Sequence, residues 1–76
     1  MSQEVLLVAR VSNKITTRSR NILLEVENEK NKEVVVINFK KKSLLKKAKE
    51  LLVNDVIKII GVMSFGLIMA KDLSPV

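Results

Sequence analysis

The chain of 76 residues has no cysteine and no histidine, and its 14 lysines and arginines against 8 acidic residues give a net charge of +6. The length fits a single domain spanning residues 1–76, and the missing residue types exclude disulfides, the common kind of zinc site and the usual catalytic triads. We therefore expect neither enzyme activity nor a metal or other cofactor, whereas the positive charge favours a polyanionic partner.

The first predicted strand covers residues 4–13, which are rich in valine and leucine and end in turn-forming residues. Its first half is apolar on both faces, as expected where a sheet coils into a closed barrel. Residues 14–20 follow as a basic connection, either a loop or an extension of the strand. Because arginine binds phosphate with two hydrogen bonds, this connection can act as a phosphate-binding finger; the alternative is a solvated hairpin loop.

The second and third strands are predicted over residues 21–28 and 34–39 and form a hairpin. In the second strand apolar residues alternate with polar ones, which predicts one buried and one exposed face. The apolar residues are Ile22, Leu24 and Val26. The third strand is apolar on both faces, and its β-branched residues favour a strand over a helix. Asn31, in the turn between the two strands, suits a left-handed backbone.

A single helix is predicted within residues 40–52, the lysine-rich stretch KKKSLLKKAKELL. Ser43 is the expected N-cap, and Asn54 is the expected stop signal after the helix. Five apolar residues recur on one side, and the packing of this stripe must stabilise so short a helix. They are Leu44, Leu45, Ala48, Leu51 and Leu52. Lys46, Lys47 and Lys49 are expected to form the solvated face of the helix, away from the binding groove, while Lys40–Lys42 either add solubility or extend a track of phosphate contacts.

The last two strands are predicted over residues 55–63 and 66–73, as a hairpin with its turn near residues 64–66. Gly61 inside a strand predicts a bulge or a sharp coil, as needed at the corner of a barrel. This hairpin is so rich in apolar side chains that a small barrel cannot bury all of them. We expect part of its apolar surface to remain uncovered.

The order of elements is therefore β-β-β-α-β-β, with the helix between strands three and four. We assign the chain to the all-β class with one helix, as a five-stranded OB-fold, which is a small Greek-key barrel that binds oligonucleotides and oligosaccharides. An SH3-like barrel has no comparable helix at this point, and a ferredoxin-like fold would need two helices. The helix is expected to plug one end of the barrel.

The segments VVVINF, KELL, NDVIKIIGVM and GLIMAKDL, in this order, resemble nucleic-acid-binding OB domains of the anticodon-binding and helicase type and of single-strand-binding proteins. The resemblance covers nearly the whole chain, and most of its positions are signatures of the fold. The turn before strand four usually has glycine in these families, where this chain has Asn54, which also tolerates a left-handed backbone. The resemblance implies binding on the face of strands two and three and on the flanking loops.

The same resemblance implies a set of binding residues on and beside that face. They are Arg10, Lys14, Arg18 and Arg20 on one side, Lys58, Phe65 and Lys71 on the other, and Phe39 if its ring points outward. We expect Phe39 in the core, while Phe65 lies near a turn. Glu25 and Glu27 would line the same face, so the expected binding of single-stranded DNA or RNA is weak, sequence-tolerant and salt-dependent.

The alternative function is protein interaction, in which the uncovered apolar strand surfaces bind a protein partner or a second copy of the chain. The protein would then be a subunit of a larger nucleic-acid-processing complex. For either function we expect a cytoplasmic location, because no export signal is visible and cysteine is absent. The longest uncharged segment, residues 59–70, is too short to span a bilayer, so no membrane partner is expected.

Overall fold

The computed structural model describes residues 3–76, which form five strands and one helix. The elements are β1 (Gln3–Thr16), β2 (Ile22–Glu27), β3 (Lys32–Ile37), α1 (Lys42–Glu50), β4 (Val56–Ser64) and β5 (Leu67–Pro75). The strands close into a barrel in the order β1-β2-β3-β5-β4. β3 and β5 pair in parallel, and the other neighbours are antiparallel. The predicted five-stranded barrel, with its helix between strands three and four, is confirmed.

β1 is long enough to pair with two different neighbours. Its first part, from Gln3 to Arg10, pairs with β4, and its second part, from Arg10 to Thr16, pairs with β2. A register shift lies just after the change of partner, and such irregularities bend a strand around a barrel. The basic connection is therefore shorter than residues 14–20, because residues 14–16 extend the strand.

The core is filled by side chains that point inward from all five strands and from α1. Every second residue of β2 is buried, which confirms the predicted alternation. α1 covers the core with Leu44 and Ala48, and Leu45 and Leu51 pack against its edge. Leu52 follows the helix and is 69% exposed, so the predicted apolar stripe was too long. No helix within residues 3–76 is long and apolar enough to cross a bilayer.

β1 is buried on one face only, which corrects the prediction that its first half is buried on both. Ala9 and Val11 are in the core, while Leu6 is 67% exposed and Val8 is 46% exposed. The barrel forms a single layer at Leu6 and Val8, because α1 packs mainly against β3 and β5. An apolar outer face therefore remains on this strand.

α1 begins two residues earlier than predicted and has no side-chain cap. Ser43 lies inside the helix, and Lys41 occupies the N-cap position without a side-chain hydrogen bond to the helix. The turn before α1 explains the shift. The Lys41 amide donates to the Asn38 carbonyl at 3.0 Å, and the Lys40 amide donates to the Asn38 side chain at 2.9 Å. Asn38, rather than a capping serine, thus directs the chain into the helix.

Three non-glycine residues of the described chain have a left-handed backbone, namely Arg20, Asn54 and Phe65. Asn54 adopts this conformation as predicted, but α1 already ends at Glu50, so Asn54 belongs to the turn before β4 rather than to the helix end. The prediction for the β2–β3 turn was wrong, because the left-handed residues do not include Asn31. There the side-chain oxygen of Asn28 accepts two backbone amides, at 2.9 and 2.8 Å, which closes the turn without a left-handed residue.

Gly61 marks an irregularity between β4 and β5, as predicted. The register of the two strands shifts between Ile60 and Gly61. A Cβ atom on Gly61 would lie 2.5 Å from the Met69 carbonyl oxygen and 2.8 Å from Cγ2 of Ile68. The absence of a side chain therefore allows β5 to approach β4 closely at this corner of the barrel.

One ion pair joins α1 to β5. The Lys47 ammonium lies 3.1 Å from Oδ1 of Asp72 and donates a second hydrogen bond, 3.3 Å long, to the Leu73 carbonyl. The hydrogen bond from Lys47, with a further one from the Leu73 amide, lowers the pKa of the Asp72 carboxyl below its ordinary value of 3.8. The ionised form of Asp72 is thus favoured in the folded chain.

We expect Asp72→Asn to reduce the pH dependence of unfolding in acid. Because the folded pKa lies below the unfolded one, the carboxylate stabilises the fold above pH 3.8, and this contribution is lost as the pH falls through the folded value. The difference in Tm between wild type and the variant should be constant well above pH 3.8 and shrink as the pH falls below that value. It should be small throughout, since both side chains are about half exposed. Circular dichroism melts at several pH values test this, and a difference that persists in strong acid would contradict it.

Candidate nucleic-acid interface

The outer face of β1, β2 and β3 is lined by carboxylates. Glu25, Glu27 and Glu33 border a concavity of about 330 Å³ there, together with Ser12 and Lys32 among others. Within residues 3–76 no group of three acidic side chains is placed to hold a metal ion. Because carboxylates repel a phosphate backbone, this face by itself is a poor surface for a polyanion.

Arg10 is held on this face by its neighbours. Its guanidinium forms an ion pair with Glu27 and donates a hydrogen bond of 2.7 Å to the side-chain oxygen of Asn54. Lys32 lies 3.9 Å from the second carboxylate oxygen of Glu27. Arg10 and Lys32 therefore both lie beside the carboxylate of Glu27. The Arg10 guanidinium already has hydrogen-bond partners within the chain.

Lys14 is engaged at the C-terminal end of α1. Its ammonium donates to the carbonyls of Lys49 at 2.9 Å and Leu51 at 2.8 Å, with a longer contact of 3.5 Å to the Ala48 carbonyl. The last carbonyls of a helix have no partner within the helix, and the helix dipole favours a cation beside them. Lys14 thus ties the extended end of β1 to α1.

Arg20 and Phe39 meet in one concavity between the β1–β2 loop and α1. It has a volume of about 510 Å³. We call it the basic cradle, and its lining residues are Thr16, Arg20, Ile22, Phe39, Lys42, Leu45 and Lys49. The lining contains three cations and no carboxylate. Phe39 is 40% exposed, so the expectation that its ring lies in the core was wrong.

The helical side of the basic cradle was missed in the sequence. The sequence predicts that Lys49 lies on a solvated face away from the binding groove, and it allows Lys42 to be either a solubilising residue or part of a phosphate track. Lys42, Leu45 and Lys49 are spaced i, i+3 and i+7, which places them on one side of α1. This spacing, with a partly buried leucine between two lysines, is the signal that points to a shared surface.

The other side of the cradle is formed by the loop between β1 and β2. The Thr17 amide donates to the Asn21 carbonyl at 2.9 Å, and Arg20 closes the turn with a φ of 68°. The side-chain oxygen of Asn21 accepts the Phe39 amide at 3.0 Å. Asn21 therefore connects the loop that carries Arg20 to the segment that carries Phe39. Arg18 is exposed in the same loop.

The remaining predicted residues lie on other parts of the barrel. Lys58 is exposed near the start of β4. Lys71 of β5 forms an ion pair with Glu4, with 3.5 Å between Nζ and Oε2. Phe65 lies in the turn between β4 and β5 and is fully exposed. The structure places none of these three in the lining of the basic cradle.

The fold is similar to parts of several larger proteins of known structure. Asparaginyl-tRNA synthetase from Pyrococcus horikoshii matches with a TM-score of 0.87 and 15% identity, over 99% of this chain and 20% of the synthetase chain. A chain of the S. pombe Stn1-Ten1 complex matches with a TM-score of 0.88 and 13% identity, over 100% of this chain and 59% of that one. A chain of a Replication Protein A heterotrimer bound to ssDNA matches with a TM-score of 0.75 and 22% identity, over 96% and 57% respectively.

No protein-family model and no curated protein matches the chain. The chain spans one fifth of the synthetase and less than two thirds of the other two chains. At identities of 13–22%, these likenesses establish a shared backbone arrangement and do not assign a function to any side chain. Together with the strand order and the position of the helix, they show that this chain has the OB-fold.

Proposed function

We propose that the protein binds single-stranded nucleic acid, DNA or RNA, through the basic cradle. The observation that carries the proposal is the meeting of an exposed phenylalanine ring, Phe39, with Arg20, Lys42 and Lys49 in one concavity. Proteins that bind single strands combine aromatic rings, on which bases stack, with cations that track the phosphates. A similar chain in a Replication Protein A heterotrimer is part of a structure bound to ssDNA, which supports the same class of ligand.

The spacing of the two helix lysines suits a strand that runs along α1. Seven helical residues correspond to about 10.5 Å, which is about three times the rise of roughly 3.4 Å per nucleotide in a stacked strand. Lys42 and Lys49 can thus contact phosphates about three nucleotides apart, while a base between them stacks on Phe39. Because stacking on this ring requires an unpaired base, the cradle favours single strands over duplexes.

The affinity should be weak and nearly independent of sequence. The cradle supplies three cations and one ring, and Arg18 adds a fourth charge from the exposed loop. Arg10 and Lys14 would have to give up hydrogen bonds to contact a phosphate, while Lys58 and Lys71 would extend the surface beyond the cradle. Three phosphate contacts predict a slope of about −2 for the logarithm of the binding constant against that of the salt concentration.

The proposed function is binding without catalysis, and the absence of cysteine supports a cytoplasmic location for the protein.

The double variant Lys42→Gln/Lys49→Gln is expected to weaken binding about tenfold or more and to reduce the salt slope by about 1.4, because each lost phosphate contact removes about 0.7. Fluorescence anisotropy with labelled oligonucleotides, single-stranded and duplex, at two low salt concentrations measures both quantities. The matched control is Lys30→Gln/Lys46→Gln, which removes two exposed charges outside the cradle. Equal losses in the two double variants would exclude the cradle as the site, and no binding at low salt would exclude the function.

Phe39→Leu separates stacking from charge. We expect it to weaken binding of a single strand about fivefold to a hundredfold, since stacking contributes about 1–3 kcal/mol per base, and to leave the salt slope unchanged. The same anisotropy titrations measure this effect. A variant that binds as well as the wild type would show that no base stacks on the ring.

A second candidate function is protein interaction, favoured by the exposed apolar outer face of β1 and β4. On this face Leu6 is 67% exposed, Val56 49% and Val8 46%. Exposed apolar side chains clustered on one strand face commonly mark a site for a protein partner. The similar chains in the Stn1-Ten1 complex and in the Replication Protein A heterotrimer both belong to assemblies. Co-purification with a partner, abolished by Leu6→Lys, would support this function over the first.

A further inference from the structure

We propose that copies of this chain associate head to tail, with Phe65 of one copy inserted into an apolar groove at the opposite end of the next copy. Three features of the structure support this association: the strained and exposed position of Phe65, the uncharged hairpin around it, and a groove of matching character far from it. Nucleic acid takes no part in this contact.

Phe65 is an aromatic knob at the tip of the β4–β5 hairpin. Ser64 pairs with Leu67, so Phe65 and Gly66 form a two-residue turn with φ values of 50° and 76°. Turns with two positive φ values favour Asn-Gly, and a residue with a β-carbon other than Asn or Asp is strained there. Phe65 is 102% exposed, so the ring is not packed against the described chain. Strain and exposure together indicate a ring that contacts another molecule.

The surroundings of Phe65 indicate which kind of molecule that is. Residues 59–70 contain no Asp, Glu, Lys or Arg. A nucleic-acid strand at this tip would find no cation within residues 59–70 to neutralise its phosphates. An apolar pocket on a protein needs no such charge, and a buried aromatic ring is a typical anchor of protein contacts.

A groove of matching character lies between the end of α1 and the end of β5. It has a volume of about 280 Å³, which accommodates a phenyl ring. Its apolar walls come from Leu51, Leu73 and Pro75, and Lys47, Glu50 and Ser74 complete the lining. The groove thus offers the apolar contact that the knob lacks within its own chain.

The knob and the groove lie at opposite ends of β5. The eight residues from Phe65 to Leu73 correspond to about 26 Å of strand. This separation is most of the longest extent of the molecule, which is 32 Å. The ring therefore cannot reach the groove of its own chain. A contact between two different surfaces at opposite ends is heterologous, and it repeats with each added copy instead of closing into a two-fold dimer. One ring in one groove buries little area, so the association should be weak, with a dissociation constant on the order of 100 µM.

Phe65→Asn tests the knob without endangering the fold, because Asn-Gly is the preferred sequence for this turn. Sedimentation velocity without nucleic acid, from about 10 µM to about 1 mM, should show the wild-type sedimentation coefficient rising throughout, while the variant stays monomeric. Ser74→Arg tests the groove, since a long side chain at this partly exposed position fills it without disturbing the core. This variant should also stay monomeric.

An equimolar mixture of Phe65→Asn and Ser74→Arg distinguishes a contact between knob and groove from a contact between two knobs. The first variant keeps the groove and the second keeps the knob, so the mixture should form a complex of two chains and no larger species. A wild-type protein that stays monomeric to about 1 mM would overturn the proposal, and so would a Phe65→Asn variant that associates like the wild type. Neither result would affect the proposed binding of nucleic acid, which depends on the basic cradle.

Discussion

Gly61→Ala is expected to destabilise the fold by about 2–3 kcal/mol, the largest effect we predict for a single methyl group in this protein. The added Cβ would lie 2.5 Å from the Met69 carbonyl oxygen and 2.8 Å from the side chain of Ile68. The carbonyl belongs to the backbone of the neighbouring strand, and Ile68 is fully buried. Neither can move without separating β4 from β5, so Tm should fall by roughly 10–20 °C.

Gly66→Ala is the matched control, because it adds the same methyl group to the same hairpin. Nothing lies within 4 Å of a Cβ at Gly66, so only the strain of a φ of 76° remains. That strain costs about 1 kcal/mol. Thermal and urea unfolding followed by circular dichroism should rank the wild type above Gly66→Ala and both above Gly61→Ala. Equal stability of the two variants would contradict the steric explanation.

Lys14→Met is expected to destabilise the fold by about 2 kcal/mol, with a fall in Tm of about 10 °C. Methionine keeps most of the side-chain stem but removes the ammonium that donates to the carbonyls of Lys49 and Leu51. The change leaves these carbonyls without their partner and removes a cation from the negative end of the helix dipole. The last turn of α1 should also lose protection in amide hydrogen exchange.

Lys46→Met provides the control for charge, because Lys46 is an exposed lysine of the same helix. It should change the free energy of unfolding by about 0.5 kcal/mol or less.

Lys14→Met also tests whether Lys14 contacts nucleic acid directly. Well below its Tm, the variant should keep the wild-type salt slope of binding if Lys14 only supports α1, and lose about 0.7 from it if Lys14 contacts a phosphate.

Features that are determined by residues close together in the sequence were predicted well. The alternation of Ile22, Leu24 and Val26 identified both faces of β2, and Gly61 identified the irregularity between the last two strands. Each of these signals lies within the segment that it describes. The start of α1 was predicted less well, because Asn38, five residues before Ser43, directs the chain into the helix.

The candidate site was predicted only in part, because its residues come from separate segments. Arg20 and Phe39 were both candidates, but the hydrogen bond from the Phe39 amide to the Asn21 side chain, which connects their segments, spans 18 residues. The strand face expected to bind was inferred from resemblance alone, and the structure shows its carboxylates beside Arg10. Lys49 entered the site only through the docking of α1 against the barrel.

The sequence by itself determined the number, the order and the type of the elements, and through them the OB-fold. Hydrophobic alternation and turn-forming residues act over a few positions, so they can be read along the chain. The tertiary structure alone decided how the basic residues are used. Lys14 donates to the Lys49 carbonyl across 35 residues, and Lys42 and Arg20, which come from separate segments, line one concavity. The partners of a long charged side chain depend on strand register and on how the helix docks. A local pattern of lysines in the sequence carries no information about either.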